Sequence, residues 1–391
     1  MTTLYKITAE GGVAVGELAD RINAQIPGVP AEWLAREIVS DGIGTITTGP
    51  IEPVKADTDL LKMWGYNPAE VEIVGNISQW RKEQPDKTWR VSYRFSHRAK
   101  AANIDLPALY AAARKAPRKP VATTPSDRTT VVALADVQAG KVGSRGGTPE
   151  LVERLADKRE ALELHLRKTK PDGTVLAEVG DLFEGFESGG NPAFTNDLSL
   201  AQQMDLASTE VYEFVTLMAR FGHVDVMATT SNHTAWRRGK QNLGRPGDDL
   251  GLLCHRQVEK VAKAAGLDAT WHFPPMYDEA VTLDVRGTTL GMVHGNQYAP
   301  GSAPLWWGKQ THGGQPIGAA DILLTGHYHH LRIEPTGRNP YTSKSKWWLQ
   351  APTVDNGSDW FRNLAGDDSD PGLLVFDITD NGFDLQSLTV L

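Results

Sequence analysis

"DILLTGHYHHLRI", residues 321–333, sets three imidazoles, His327, His329 and His330, directly after an apolar run that closes on Thr325-Gly326. Ile322 to Leu324 read as a strand of a parallel sheet, since a strand covered on both faces is a continuous apolar run. In open α/β sheets functional groups collect where strands end and loops begin. Histidines also gather at strand ends as ordinary core or surface residues. His327 and His329 are therefore candidate metal ligands only if other strands end in suitable partners.

The rest of the chain supplies them. "TTVVALAD" (129–136), "TVLAEVGD" (174–181), "HVDVMATTSNH" (223–233) and "TLGMVHG" (289–295) are short β-branched or apolar runs, several separated by helical stretches such as "LSLAQQMDLASTEVYEFVTLMARF" (198–221). This alternation is that of a layered α/β domain. Each run ends in a carboxylate, amide or imidazole: Asp136, Asp181, Asn232, His294, then His327 with His329. Five such endings are improbable for a fold that needs only polar loops. Hydrolysis of a phosphate ester asks for this mixture, because two metal ions roughly 3.5–4 Å apart neutralise the phosphoryl oxygens and provide hydroxide at neutral pH. Imidazole and amide ligands complete such a centre without excess negative charge.

Composition bounds the alternatives. The chain has 391 residues, 40% hydrophobic and 23% charged, enough for one large domain and a smaller one. No apolar run approaches the roughly 20 residues of a membrane helix, and "MTTLYKITAEGG" lacks the layout of a signal peptide, so a cytoplasmic location and no membrane partner are expected. The single cysteine, Cys254, lies in the helical "DLGLLCHRQVEKVAKAA" and reads as a buried structural thiol. The net charge of −8 argues against a uniformly basic coat, yet from Arg81 to Lys119 there are 11 basic and 3 acidic residues, a local +8 that leaves −16 elsewhere. Such a segment is either an electrostatic arm for a phosphate polymer or a solvated linker.

The domain boundary falls in that segment, where "RKAPRKPVATTPSDRTT" is proline-rich and basic without apolar periodicity. The expected organisation is an accessory α+β domain over residues 1–112, a linker over 113–127 and a catalytic domain over 128–391. "VAVGELADRINAQIPGVPAEWLAREIVSDGI" (13–43) reads as two short helices about a Pro/Gly turn, a candidate helix-turn-helix, and "VEIVGNISQWRKEQPDKTWRVSYRFSH" (71–97) as two strands with Trp89, Val91, Tyr93 and Phe95 on one face.

The order Asp-x-Gln (136–138), Gly-Asp-x-x-Glu (180–184), Asn-His (232–233), His-Gly (294–295), Gly-His-x-His (326–329) resembles the calcineurin-like metallophosphoesterase family at each of its motifs, over about residues 128–391. The resemblance implies an α/β sandwich of mixed sheets flanked by helices. It also implies two divalent ions, manganese foremost, with magnesium, zinc or iron as alternatives. One ion would be held by Asp136, Gln138, Asp181 and His329, and the other by Asp181, Asn232, His294 and His327, with Asp181 as the bridge. His233 matches the family's non-ligand histidine near the leaving-group oxygen. Glu184 corresponds to a residue behind the ligands.

Three departures stand out. Gln138 replaces a histidine, and its neutral oxygen is a weaker ligand than imidazole for borderline ions. "SNHT" lacks the acidic residue expected after His233, and His330 matches no ligand position. After Asn232-His233, the residues Arg237, Arg238, Lys240 and Arg245 form a basic loop suited to further phosphates, while Trp306, Trp307, Trp347, Trp348 and Trp360 are candidates to stack bases, the strand-like Trp347 and Trp348 being better placed in a core. The layout also resembles, more distantly, phage-encoded relatives of SbcD-type exonucleases, which implies the host cytoplasm and a homodimer or ATPase partner. The expected activity is a nuclease on DNA. A phosphatase or cyclic-nucleotide phosphodiesterase, and a non-catalytic scaffold with a weakened site, are the alternatives.

Overall fold

The structure is a computed structural model and describes residues 35–40, 43–69, 71–83, 87, 89–99, 126–186, 196–238, 241–357, 359, 362–363 and 370–391. The chain divides into two compact units, Met1–Asn103 and Ile104–Leu391.

In the first unit, β1 (Arg36–Ser40), β2 (Ile43–Thr47), β3 (Val71–Glu83) and β4 (Trp89–Ala99) form an antiparallel sheet in the order β1-β2-β4-β3, with helix α1 (Asp57–Met63) between β2 and β3 in sequence. The expected strand pair over 71–97 is present. Val91, Tyr93 and Phe95 alternate into a core with Ile46, Leu60, Leu61 and Trp64, whereas Trp89, at the start of β4, is exposed. The second helix expected within 13–43 is not: Arg36–Ser40 is a strand paired with Ile43–Thr47. Ile38 and Val39 are β-branched and prefer extended backbone, and β2 offers a ladder that a lone amphipathic turn cannot match. The first helix of that pair lies outside the described residues, as does the linker apart from Ser126 and Asp127.

The second unit carries two large sheets and a small antiparallel pair, β8 (Arg237–Arg238) with β9 (Gln241–Asn242). Strands β5 (Arg128–Leu134), β6 (Gly173–Glu178), β7 (Val224–Ala228) and β10 (Ala269–His272) run parallel and are continued antiparallel by β16 (Leu374–Thr379) and β17 (Gly382–Val390), giving the order β10-β7-β6-β5-β16-β17. The other sheet has the order β11-β12-β13-β15-β14. Its parallel centre is β12 (Thr288–Met292), β13 (Ile322–Thr325) and β15 (Ser345–Gln350), flanked antiparallel by β11 (Val281–Val285) and β14 (Arg332–Arg338).

Alternation along the strands builds the layers. Val131, Ala133, Val175 and Met227 face Leu290, Met292, Ile322, Leu324 and Leu349 between the sheets. Their neighbours Val132, Leu134, Leu176 and Val226 pack outward on helices α2 (Thr148–Thr169), α3 (Leu200–Met218) and α4 (Leu250–Ala264). On the far side Val293, Leu323 and Trp348 pack with Trp307 of α5 (Ala303–His312). The unit is thus a layered α/β sandwich, helix-sheet-sheet-helix. Local signals begin the helices: the Ser199 hydroxyl accepts from Gln202 N at the start of α3, and Asp249 accepts from Leu252 N at the start of α4. Cys254 is buried in α4. Among the described residues no helix is long and apolar enough to cross a membrane.

Between α2 and α3 a buried ion pair joins Arg159 to Glu210. Burial pushes the Glu210 carboxyl up to about 6, with Arg159 pulling the other way. Arg159→Met leaves that carboxylate buried and uncompensated and is expected to cost about 3–5 kcal/mol. Because the folded-state pKa of Glu210 then rises further above its unfolded value, the loss should be full only above that raised value and shrink as the pH falls toward the unfolded one. Denaturant titration at pH 7 and pH 5 measures this, and equal losses at both pH values would refute it. Adding Glu210→Leu should recover most of the stability.

Candidate metal centre

The carboxyl ends of β5, β6, β7, β12 and β13 converge, and the loops leaving them continue to pair. Asp136 N donates to Gly180 O (3.1 Å), Gln138 N to Asp181 O (2.8 Å), and Gly326 N to His294 O (2.7 Å). Nine non-glycine residues among those described have left-handed backbone, and five of them are Asp136 (φ 51°), Gln138 (43°), Asp181 (52°), His327 (67°) and His329 (62°). Each such conformation costs on the order of 1–3 kcal/mol and persists where the surroundings over-determine it, typically at functional sites. The strain falls on candidate ligands without any chemistry having been assumed. Gly180 (φ 93°) admits the closest approach, since a Cβ there would lie 2.7 Å from His294 Nδ1 and 2.8 Å from Ser231 Cβ.

Asp181, His294 and His327 present ligand atoms that all lie within 4.8 Å of one another. His233 N donates to Asp181 Oδ1 (3.0 Å), which leaves Oδ2 facing the cluster, 3.0 Å from His294 Nε2 and 3.7 Å from His233 Nε2. His294 Nδ1 lies 2.8 Å from Val179 O and must carry the proton there, because a carbonyl only accepts. In its neutral form the Nε2 lone pair of His294 therefore points at a carboxylate oxygen, two acceptors in contact. Only a proton or a cation resolves that conflict. Without a metal ion the proton does: burial works against the imidazolium of His294, but Asp181, followed by Asp136 and Val179 O, outweighs it and raises the group to about 9. Burial, and then the neighbouring His294, lower His327 to about 4, so its nitrogen lone pair is available. Burial opposes the charge of Asp181, yet His233, His294 and His327 hold the carboxyl well below its ordinary range. A neutral His294 anchored through Nδ1 to a backbone carbonyl is the arrangement of a metal-ligating imidazole. This donor set fits a divalent cation.

On the other side Asp136 is buried, with His327 N donating to its carboxylate (3.0 Å to Oδ2), and His329 Nε2 lies 3.4 Å from Asp136 Oδ1. Gln138 does not present a free oxygen here. Its Oε1 accepts from Lys141 Nζ at 2.5 Å, and Lys141 also donates to Asp355 Oδ2 at 2.5 Å. Its amide nitrogen faces His233 Nε2 at 3.3 Å. The opposite amide orientation would set two donors, the amide and the ammonium, against each other, so the hydrogen bonds fix which end is oxygen. Asp355 Oδ2 also lies 3.8 Å from His329 Nδ1.

His233 is oriented without an acidic neighbour in sequence. Its Nδ1 donates to Glu184 O (2.7 Å), with Glu184 Oε2 at 3.4 Å, so Nε2 is the nitrogen turned toward the site. Burial raises the Glu184 carboxyl, against the pull of His233 and Lys141. The residue after His233, Thr234, donates its hydroxyl to Asp249 Oδ2 (2.7 Å), which also accepts from Ser231 N (3.3 Å). The cap of α4 thus clamps the Asn232-His233 loop from fifteen residues away. Asn232 lies in that loop, half-buried, with Arg237 Nη1 donating to its carbonyl at 2.9 Å. His330 Nδ1 turns to Tyr328 O (2.7 Å).

Of the aromatics, Trp307 departs from the expected stacking role, while Trp348 lies in a core as expected. Trp306 and Trp307 sit on helix α5, and Trp307 is buried with its indole N–H on Ile317 O (2.7 Å). Trp348 is buried in β15, and Trp347 packs edge-on against Phe383 with ring centroids 5.4 Å apart. These rings close the core, because β15 is an interior strand and α5 covers the sheet; Trp360 lies outside the described residues. Trp236, which the motifs did not single out, is exposed three residues after His233 and adjoins Arg237. Arg238 and Arg245 are exposed, the latter 5.3 Å from the centre of the exposed Tyr277 ring, while Lys240 lies outside the described residues. Lys141 and Asp355 were also missed: Lys141 stood three residues past Gln138 in "DVQAGK", but nothing in "TVDNGSD" marked Asp355.

No family model matches the chain. No curated protein is similar enough in sequence to be matched. Solved structures are. A conserved Streptococcus pneumoniae protein described as a phosphoesterase is 11% identical over 68% of this chain and 98% of its own, with a TM-score of 0.24. A metallophosphoesterase of Sphaerobacter thermophilus is 10% identical over 68% and 88%, TM-score 0.27, and a Staphylococcus aureus protein described as a 5'-nucleotidase is 12% identical over 68% and 54%, TM-score 0.29. With scores of this size, what the site does has to be read from its own residues.

Proposed function

We propose that the chain is a metal-dependent phosphoester hydrolase acting on phosphodiesters of nucleic acid, DNA foremost. The observation that carries the hydrolase is the cluster of Asp181 Oδ2, His294 Nε2 and His327, acceptor against acceptor in a buried site, with His233 Nε2 alongside. A divalent ion held by these residues supplies neutralisation of the phosphoryl oxygens and a water acidic enough to be deprotonated near neutral pH.

The chain's own residues do the rest. Asp181 and the His233 amide hold each other in place, so the carboxylate keeps one oxygen for the ion. His233, with one proton fixed on Nδ1 by Glu184 O, has Nε2 as the atom that takes up a second proton from solvent and gives it to the leaving oxygen, returning to the neutral imidazole. Lys141 adds fixed positive charge behind Gln138. Arg237 braces the Asn232 loop through its carbonyl, and the exposed Trp236 and Arg238 beside it combine a stacking face with a phosphate-binding cation.

That rim supports the polymer substrate. The expected result is hydrolysis of single- or double-stranded DNA in the presence of manganese, with affinity falling linearly in log salt, by about 0.7–0.9 per phosphate contacted. Arg238→Ala should lower that slope by about 1. Hydrolysis of small phosphoesters with no salt-dependent DNA binding would replace this reading with the smaller substrate. One feature favours that second reading: a cleft of about 640 Å³ lined by Trp271, Phe273, Tyr277, Glu279, Gln297 and Trp306 offers aromatic faces and amides suited to a single nucleobase. Gln297 Oε1 in its wall accepts from Gly295 N (2.9 Å), the residue after His294.

A further inference from the structure

The residues expected to hold the first ion do not form a vacant donor set. Four groups surround the position: Asp136, Gln138, His329 and Asp355, and between two of them stands Lys141, which is buried although lysine is almost never buried without partners. Its ammonium meets Gln138 Oε1 and Asp355 Oδ2, each at 2.5 Å. Charge-assisted contacts of this length are strong, and they set a cation on the one oxygen of Gln138 that a metal ion would need. A divalent ion on that same oxygen would also stand against a fixed positive charge in a water-poor site, where like charges repel most strongly. The neighbouring cluster of Asp181, His294 and His327 has no cationic side chain hydrogen-bonded within it, apart from the imidazoles themselves, among the contacts described.

We infer that Lys141 stands in for one of two metal ions: its ammonium, bonded to Gln138 Oε1 and Asp355 Oδ2, is the permanent cation of the Asp136–His329 side, and the folded chain holds a single divalent ion on Asp181, His294 and His327. The change of histidine to glutamine at position 138 then acquires a reason. An imidazole there would offer the ammonium either an N–H or a single lone pair already wanted by a metal, whereas a carboxamide accepts from Lys141 and donates to His233 at once. The run Asp355, Lys141, Gln138, His233, Glu184 O becomes one hydrogen-bonded chain that ties the fixed cation to the proton-exchanging imidazole.

This inference rests on the metallophosphoesterase reading for the identity of the site, but its test counts ions and needs no substrate. The chelator-stripped full chain is titrated with manganese or zinc alone by calorimetry, and bound metal is then counted by elemental analysis after gel filtration. The expected result is one ion per chain for the wild type and for Lys141→Arg, and two for Lys141→Met, with Lys141→Met/Gln138→His binding the second at least tenfold more tightly. Two ions of comparable affinity in the wild type, or a folded Lys141→Met that still takes one, would overturn it. Should Lys141→Met fail to fold because Asp355 is left uncompensated, Lys141→Gln/Asp355→Asn removes both charges and is expected to keep one ion on the histidine cluster, while loss of that ion would count against the assignment. A chain that binds one ion but hydrolyses no phosphoester leaves Lys141 as assigned and refutes the proposed activity instead.

Discussion

Asp181→Asn is expected to remove turnover, by at least about 10,000-fold, beyond the range of a single positioned acid or base. The substitution is nearly isosteric, and a correctly turned carboxamide keeps an oxygen for the His233 amide, so the loop that follows β7 stays in place. What it removes is the negative charge facing His294 Nε2 at 3.0 Å and His233 Nε2 at 3.7 Å. Without that charge the cluster has no anionic ligand among its three members, and two imidazoles alone bind a hard divalent ion poorly. The proton on His294 loses its main attraction as well, so the group should fall from about 9 toward or below the ordinary histidine value under the pressure of burial. Metal content by elemental analysis, a thermal melt and a single-turnover assay decide the matter together. A folded variant with near-normal rate and full metal would remove Asp181 from the centre of the site.

The second large effect belongs to His233. Its replacement by alanine should slow turnover by about 100- to 10,000-fold, the span of a positioned proton donor or acceptor, while bound metal stays at the wild-type level. The separation of the two readouts follows from geometry: Asp181, His294 and His327 form the ligand cluster without it, and His233 reaches Asp181 through its backbone amide, which alanine retains. The loss should fall on kcat more than on KM, since Nε2 acts on the leaving group and the rim binds the substrate. Loss of the ion in His233→Ala would instead make it a ligand or a structural prop.

The layered sandwich was legible because strands buried on both faces have little freedom of composition: "TTVVAL" or "DILLT" has few other stable fates, and such strands feed their ends to one edge of a sheet. The positions of Asp136, His294 and His327 were legible for the same reason, each standing two residues past the end of a strand. Where backbone alternatives lay close in energy, sequence pattern failed. Arg36–Ser40 reads as the end of an amphipathic helix and is a strand, because the pairing that decides it comes from Ile43–Thr47 rather than from its own residues.

The sequence by itself determined which side chains stand at the ends of the parallel strands, since apolar periodicity and the glycines that release the chain are local properties. Only the tertiary structure decided what those side chains face. Lys141 and Asp355 are 214 residues apart, and their meeting behind Gln138 sets an ammonium on the oxygen of an expected metal ligand. Trp307 and Trp348, open to either role in one dimension, close a core because α5 and β15 pack there. Asp249 caps a helix and in the same place holds the loop of His233. Whether a carboxylate or an amide binds a metal, a lysine or a backbone amide depends on distances of a few ångströms between segments far apart in the chain, and no local pattern encodes them.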